Sequence, residues 1–181
     1  DALPALVERA VDAFGAIDVV VNNAANALAQ PLGAFTPEAW AKSMDVNLRG
    51  PVFLVQAALP HLRASRHAAV LNVISVGAFM FAATVSMYAM GKAALLSATR
   101  AMAAEYVRDG IRVNAMAPGS TDTDMMRATG EGGMAANARA SLMGRLAHPS
   151  EMVGPALMLT SDAGSFVTGQ VLLVDGGLHP H

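Results

Sequence analysis

The chain of 181 residues contains no cysteine, which excludes disulfides, thiolate zinc sites and a cysteine nucleophile. Its five histidines lack the spacing of metal ligands, so no metal site is predicted. Two of them, His179 and His181, flank Pro180 near the C-terminus and are expected to be solvated. The chemistry of this chain must therefore come from oxygen and nitrogen groups.

Charge is also scarce, since charged residues make up 14% of the chain against a usual value of about 25%. With 54% hydrophobic residues, much of the surface is expected to be buried between subunits. The net charge of −2 and the lack of a basic cluster argue against nucleic acid as a partner. No apolar run reaches about 18 residues and no basic segment precedes an apolar core, so no membrane partner is predicted. We expect a cytoplasmic protein.

Four short runs rich in Val, Ile and Leu each end in small or polar residues. Near-continuous apolar sequence is typical of strands buried on both faces, as in parallel sheets. The runs cover 17–25, 68–75, 111–119 and 169–177. Helices are predicted between them, at 2–14, from Thr36 or Pro37 to about Leu48, at 51–64 and at 86–108. This alternation predicts one Rossmann-like α/β domain over 1–181, with a doubly wound parallel sheet.

The apolar pattern lapses from Ser120 to about His148, directly after the third predicted strand. Gly130, Gly132 and Gly133 lie close together there. We expect this segment to be a mobile lid that carries its own short helix.

Tyr88 precedes Lys92 by four residues, in a chain with only two tyrosines and two lysines. On a helix the two side chains lie on one face. They could form an exposed contact worth a few tenths of a kcal/mol. Alternatively, the Lys92 ammonium lowers the pKa of the Tyr88 phenol from its reference value of about 10, which would suit proton transfer.

Polar and turn residues end each predicted strand, where ligands bind in open α/β sheets. They are Asn22, Asn23, Ser75, Pro118 and Gly119. Because Tyr88 follows the Ser75 run after a short loop, one crevice should collect Ser75, Tyr88 and Lys92. Ser75 would hydrogen-bond a substrate oxygen with which Tyr88 exchanges a proton. This set suits proton transfer at a carbinol oxygen while hydride leaves the carbon.

Six segments between Ala2 and Gly177 resemble, in order, motifs of the short-chain dehydrogenase/reductase family. They are "NNAA" at 22–25, "MDVNLRGPV" at 44–52, "VLNVIS" at 70–75, Tyr88-x-x-x-Lys92, "RVNAMAPGSTDTDM" at 112–125, and "GRLAHPSEM" with "VTGQVLLVDGG" at 144–152 and 167–177. The resemblance implies an NAD(P)-dependent oxidoreductase that interconverts a secondary alcohol and a ketone. It also implies NAD or NADP as cofactor and a homotetramer or homodimer as the assembly.

By this resemblance, the catalytic residues are Asn47, Ser75, Tyr88 and Lys92, with Tyr88 as general acid/base. Asn47 would lie in a kinked helix and hold a water that relays protons from Lys92. Cofactor contacts are implied for Asn22, Ala24, Tyr88, Lys92, Pro118, Gly119, Thr121 and Thr123. Asn22 would lie near the adenosine ribose, and Asp18 would support the central sheet.

The sequence departs from the family pattern at three places. Ala25 replaces the usual glycine of N-N-A-G, and Ile74 stands where a second serine is common. The first two strands of the family, with the T-G-x-x-x-G-x-G phosphate loop, would lie before Asp1. We therefore expect an N-terminally incomplete Rossmann-like domain.

Two rivals to the enzyme hypothesis remain. A non-catalytic chain could keep the family scaffold without binding cofactor, because the glycine-rich loop is absent. An extended-type epimerase or dehydratase would also use Y-x-x-x-K, but only a few residues follow "VDGG" where those proteins carry a larger domain.

Aromatic and methionine side chains predict a mainly apolar, medium-sized alcohol or ketone as substrate. They are Phe79, Met80 and Phe81 before the helix at 86–108, and Met125, Met126, Met134 and Met143 in the lid. Alternatively, the methionines pack the lid on the domain. The small and apolar residues of 86–108, with the helix at 51–64, are predicted to form the subunit interface.

Overall fold

A computed structural model describes residues 2–83 and 85–179, and its core is a four-stranded parallel sheet. The strands lie side by side in chain order: β1 (Val19–Asn22), β2 (Ala69–Val73), β3 (Arg112–Pro118) and β4 (Val171–Val174). In register, Val21 is paired with Leu71, Leu71 with Asn114 and Met116 with Leu172. The predicted parallel sheet is confirmed, although each strand is shorter than its apolar run because the polar ends form turns.

Helices cover both faces of this sheet, which confirms the doubly wound architecture. They are α1 (Ala2–Phe14), α2 (Pro37–Met44), α3 (Gly50–Ala64), α4 (Ser86–Tyr106), α5 (Asp124–Arg127), α6 (Gly130–Ala140) and α7 (Val153–Thr160). Helices α1, α3 and α4 share one buried cluster with β1, β2 and β3. On the opposite face, Leu159 of α7 packs against Leu71 and Met116. The core is therefore two apolar layers separated by the sheet.

The predicted separation of the helices at 36–48 and 51–64 is wrong. Thr36 caps α2, as its Oγ1 accepts a hydrogen bond from the Ala39 amide at 3.2 Å. The helix then continues through a π-helical turn, Asp45–Arg49, directly into α3. Pro51 lacks the amide that would bond the carbonyl of Asn47 four residues earlier, and the wider turn accommodates this loss.

Two helical features beyond β3 differ from the sequence prediction. The lid segment 120–148 holds two helices, α5 and α6, rather than one. Helix α7 was not predicted, because "VGPALMLT" is apolar nearly throughout and contains Gly154 and Pro155. Such a segment has no amphipathic period from which a helix could be recognised.

A chain of buried polar side chains links β1, β2 and α4. The Asn22 amide donates to Asn72 Oδ1 at 2.8 Å, and the Asn72 amide donates to Thr99 Oγ1 at 2.9 Å. Thr99 in turn donates to the carbonyl of Leu95 at 2.7 Å. Both Asn72 and Thr99 are fully buried, so each depends on these partners.

Replacing Asn72 by alanine is expected to lower the free energy of unfolding by about 2–4 kcal/mol, because Asn22 and Thr99 each lose a buried partner. Urea unfolding measures this change. Asn23→Ala, at an exposed position just after β1, is the control and should change stability by less than about 0.5 kcal/mol. Equal, small losses in both variants would contradict the structural importance of this network.

Candidate active site

Ser75, Tyr88 and Lys92 come together where β2 ends and α4 begins. Ser75 follows β2 and starts a 3-10 turn, Val76–Ala78, in which its Oγ accepts a hydrogen bond from the Gly77 amide at 3.1 Å. Tyr88 lies on the first turn of α4, and its side chain is hydrogen-bonded to that of Ser75. The structure therefore joins the serine and the tyrosine that the sequence placed 13 residues apart.

Lys92 is 1% exposed and lies inside the domain, one turn after Tyr88. Its Nζ donates to the carbonyl of Val73 at 2.7 Å and lies 5.7 Å from the centroid of the Tyr88 ring. Burial lowers the pKa of Lys92 from 10.5 to about 8. The exposed-contact interpretation of the pair is wrong, because a buried ammonium touches one tyrosine and one strand carbonyl.

The pKa of Tyr88 is raised by burial, while the hydrogen bond with Ser75 lowers it. This direction is opposite to the lowering that Lys92 was expected to cause. The reason is geometric, since the Lys92 ammonium bonds Val73 beside the ring instead of the phenolic oxygen. Burial removes the water that would stabilise the phenolate of Tyr88. The positive charge that offsets this loss must come from a group other than Lys92.

Asn47 is fully buried in the π turn, where a kinked helix was expected. Its Oδ1 accepts from the Asn26 amide at 3.2 Å, and its Nδ2 donates to the Asn26 carbonyl at 2.9 Å and to Ser43 Oγ at 3.2 Å. A Cβ atom on Gly91 would lie 2.9 Å from the Cβ of Asn47. The absence of a side chain at Gly91 thus lets α4 approach the π turn. Asn47 therefore lies against α4 at the position directly before Lys92.

Asn26 and Ser43 are site residues that the sequence analysis missed. Asn26 also donates from its side chain to the carbonyl of Lys42 at 3.1 Å, so it binds α2 as well as Asn47. The available signal was a third asparagine within "NNAAN", directly after a strand end. Nothing in the sequence marks Ser43 as a site residue, because its contact with Asn47 depends on the π turn.

Apart from Tyr88 and Lys92 on α4, the residues with implied cofactor contacts lie at the ends of β1 and β3 or shortly after them, at the same edge of the sheet. A Cβ on Gly119 would lie 2.7 Å from Asp175 Cα, so glycine allows the ends of β3 and β4 to approach. Thr121 Oγ1 donates to the Gly119 carbonyl at 3.2 Å, and Thr123 Oγ1 caps α5 by accepting from the Met126 amide at 3.4 Å. These hydroxyl groups are therefore held in place by local bonds.

At β1, the two predicted cofactor residues differ in environment. Asn22 is 6% exposed and its side-chain amide donates a hydrogen bond to Asn72, whereas Ala24 is exposed in the following loop. Asp18 accepts a hydrogen bond from Ser65 Oγ just before the strand. Ile74, which replaces a serine common in the family, is 2% exposed and packs with Leu95.

The expected solvation of His179 is wrong, and His181 lies outside the described residues. The His179 ring stacks on Phe79 with the centroids 5.6 Å apart. Phe79 packs on the cluster of Ile74 and Leu95, while Phe81 is fully exposed. The aromatic segment after Ser75 thus has one ring covered by the C-terminal residues and another in solvent.

Within the described residues, no helix has the length and apolarity needed to cross a membrane. Over the same residues, no three His, Asp or Glu side chains are grouped as a metal ion would require.

The chain is similar to known proteins along nearly its whole length. The family model described as enoyl-(acyl carrier protein) reductase matches residues 1–179. Cis-4-hydroxycyclohexanecarboxylate dehydrogenase of Sinomonas cyclohexanicum is 38% identical over 183 residues, which cover 98% of this chain and 72% of that protein. The 2-dehydro-3-deoxy-D-gluconate 5-dehydrogenase of Escherichia coli is 34% identical over 181 residues, with 98% and 71% covered.

Among solved structures, a gluconate 5-dehydrogenase from Burkholderia cenocepacia in complex with NADP and tartrate superposes with a TM-score of 0.92. It is 36% identical, and the match covers 97% of this chain and 70% of that one. The match to the family model over nearly the whole chain, with these relatives, shows that the protein belongs to the short-chain dehydrogenase/reductase family of NAD(P)-dependent enzymes.

Proposed function

We propose that this chain interconverts a secondary alcohol and a ketone, with Tyr88 as the general acid/base. The observation that carries the proposal is the buried Lys92 ammonium beside a tyrosine whose hydroxyl bonds Ser75, at the carboxyl edge of a parallel sheet. Burying a lysine to this extent lowers the stability of the fold. A purely structural role would not require a lysine at this position. Placing it against a phenol suits acid–base chemistry.

The donor set around Lys92 fits a nicotinamide cofactor. An ammonium has three N–H donors, and within the described residues the Val73 carbonyl is the acceptor that its hydrogen bonds reach. Ribose hydroxyls would accept the remaining donors. The cofactor would also be held by Asn22, Ala24, Tyr88, Pro118, Gly119, Thr121 and Thr123.

In the proposed reaction, Ser75 Oγ donates a hydrogen bond to the substrate oxygen and holds it against the Tyr88 hydroxyl. For alcohol oxidation, the carbinol O–H gives its proton to the Tyr88 phenolate, and the C–O bond becomes a carbonyl as hydride leaves the carbon. A nicotinamide cofactor held by these residues would supply the hydride acceptor and, in its oxidised form, a positive charge. The proton would then pass toward solvent by way of Lys92 and a water held at Asn47.

For the substrate, we propose a medium-sized alcohol or ketone with a largely apolar body. Phe79 packs on the core beside Ser75, and Met80 is partly exposed on the same loop. In the lid, Met125 is 44% and Met143 67% exposed, which supports their availability for substrate, whereas Met126 and Met134 are half-buried. The names of two relatives describe a hydroxycyclohexane carboxylate and a sugar acid, both of which carry a secondary alcohol.

A non-catalytic scaffold is the second candidate. Under that hypothesis Lys92 and Tyr88 would have no reaction to serve, and their burial would only reduce stability. The match to enzymes over 98% of the chain favours catalysis.

Tyr88→Phe is expected to lower kcat at least 100-fold in an assay of NAD(P)H with a ketone panel, because the proton donor is removed. Cofactor binding, followed by NAD(P)H fluorescence, should stay within about threefold, since the phenol acts mainly in the transition state. Tyr106→Phe changes the other tyrosine, at the far end of α4, and is the matched control. Retention of more than about a tenth of wild-type kcat would refute Tyr88 as the acid/base.

Lys92 makes stability depend on pH with a definite sign. Its pKa is lowered to about 8 in the folded chain, so the unfolded chain binds this proton more strongly. The penalty is complete below pH 8 and shrinks as the pH rises toward 10.5. Without cofactor, the stability of wild type relative to Lys92→Met should therefore increase by about 2 kcal/mol between pH 7 and 10.

Urea unfolding at several pH values measures this difference. Lys42→Met replaces the other lysine, which is exposed on α2, and is the matched control. A difference between wild type and Lys92→Met that does not change with pH would mean that Lys92 is not buried as an ammonium.

We also propose a homotetramer or homodimer in the cytoplasm, with α3 and α4 at the subunit interface. The outer face of α4 exposes small residues, including Ala93, Ser97 and Ala101, and Phe53 of α3 is 47% exposed. Small side chains allow two helices to pack closely across a two-fold axis.

Ala101→Glu is expected to shift the protein to a smaller species in native mass spectrometry, since each interface would bury an unpaired carboxylate. Ala135→Glu, at an exposed position on α6, is the control and should leave the assembly unchanged. A monomeric wild-type protein at micromolar concentration would refute the interface.

A further inference from the structure

Asn26 lies two residues after Ala24, in the loop that follows β1, and it contacts both α2 and the π turn. We infer that the Asn26 side chain is a positioning residue, which holds Asn47 in the orientation needed for proton exchange between Lys92 and solvent. Its loss is expected to slow the proton relay and to leave hydride transfer intact. The inference rests on the proposed function.

The main chain at Asn26 pairs with the side-chain amide of Asn47. The Asn26 N–H donates to Asn47 Oδ1 at 3.2 Å, and Asn47 Nδ2 donates to the Asn26 carbonyl at 2.9 Å. Both bonds use backbone groups of Asn26, so any residue other than proline at this position could form them. They require that the loop lie at this place beside the π turn.

The side chain of Asn26 holds the loop at that place. Its Nδ2 donates to the carbonyl of Lys42 in α2 at 3.1 Å, and its Oδ1 accepts from Asn47 Nδ2 at 3.3 Å. One side chain therefore ties the loop to two points of the continuous helix, one before the π turn and one within it. An apolar residue at position 26 would form neither of these bonds.

A competing acceptor could turn the Asn47 amide away from Asn26. Asn47 Nδ2 also donates at 3.2 Å to the Oγ of Ser43, which is fully buried. Three oxygen atoms thus share the two hydrogens of one amide group: the Asn26 carbonyl, Asn26 Oδ1 and Ser43 Oγ. Without the Asn26 side chain, the balance of these bonds shifts toward Ser43, and the orientation of the Asn47 amide changes.

A change in the orientation of Asn47 would reach Lys92 through direct packing. A Cβ on Gly91 would lie 2.9 Å from the Asn47 Cβ, so Asn47 lies against α4 at the residue before Lys92. Interiors packed this closely transmit small displacements. Turning Asn47 would therefore displace a water held there relative to the Lys92 ammonium, and proton exchange would slow.

The test measures ketone reduction by Asn26→Ala in light and heavy water, with NAD(P)H or its deuterated form. This variant keeps both main-chain bonds to Asn47, so it should fold. We expect kcat to fall about tenfold and the solvent isotope effect on kcat to increase, because proton exchange becomes rate-limiting. The isotope effect of the transferred deuteride should approach one for the same reason. A residue that only supported the fold would not change the two isotope effects in opposite directions.

A double-mutant cycle tests whether Asn26 acts through Asn47. In that case Asn26→Ala should cause no further loss of kcat when it is added to Asn47→Ala. Gln30→Ala is the matched control, since Gln30 belongs to the same loop and its Oε1 accepts from the Thr36 amide at 3.3 Å. This control should leave kcat and both isotope effects as in the wild type.

Losses of kcat that multiply in the double variant, or a solvent isotope effect in Asn26→Ala equal to that of the wild type, would overturn the inference. If the wild type reduces no ketone of the panel, the proposed function fails, and NMR spectra decide whether Asn26 positions Asn47. The Asn47 side-chain amide signals, assigned by their absence in Asn47→Ala, should exchange with heavy water about tenfold faster in Asn26→Ala than in wild type or Gln30→Ala. Equal exchange rates would overturn the positioning role of Asn26.

Discussion

The buried ammonium of Lys92 is the constraint around which the site is organised. A cation that is 1% exposed needs a fixed acceptor, and the carbonyl of Val73 at the end of β2 provides it at 2.7 Å. This bond joins α4 to the strand that leads into Ser75. The same helix places Tyr88 one turn earlier and Gly91 against Asn47. One helix, joined near its start to the end of β2, therefore sets the positions of the serine, the tyrosine and the asparagine.

Hydrogen bonds between polar side chains give this helix further support. Asn72 and Thr99 connect β2 to the middle of α4, and Asn26 with Ser43 holds the amide of Asn47. Each of these side chains is buried or bonded within the domain, so none is available for direct contact with a substrate. They fix orientation at the expense of adaptability, whereas the exposed lid methionines supply the adaptable surface.

The sequence was sufficient for the parts of the fold that depend on local periodicity and spacing. The four strands and the long helix α4 follow from apolar runs, and Tyr88 and Lys92 follow from i,i+4 geometry. Local patterns could not reveal the π turn, because Pro51 acts on a bond to the carbonyl of Asn47 that exists only in a continuous helix. Nor could they reveal the position of His179, since its neighbour Phe79 is 100 residues away in the chain. The direction of the Tyr88 pKa shift was predicted wrongly because it depends on burial and on the hydrogen bond of Lys92, not on spacing.

The π turn at Asp45–Arg49 has a consequence for how this protein can change in length. A π turn is equivalent to one residue added to an α-helix, and each residue of an α-helix rotates the chain by about 100°. Deleting one residue of the π turn other than Asn47 would restore a regular helix and change the orientation of Asn47 relative to Asn26 and Gly91, although every side chain of the site would be kept. Insertions and deletions should accumulate in the lid and be rare in this helix. The number of residues between α2 and α3 is thus as much a part of the site as their identity.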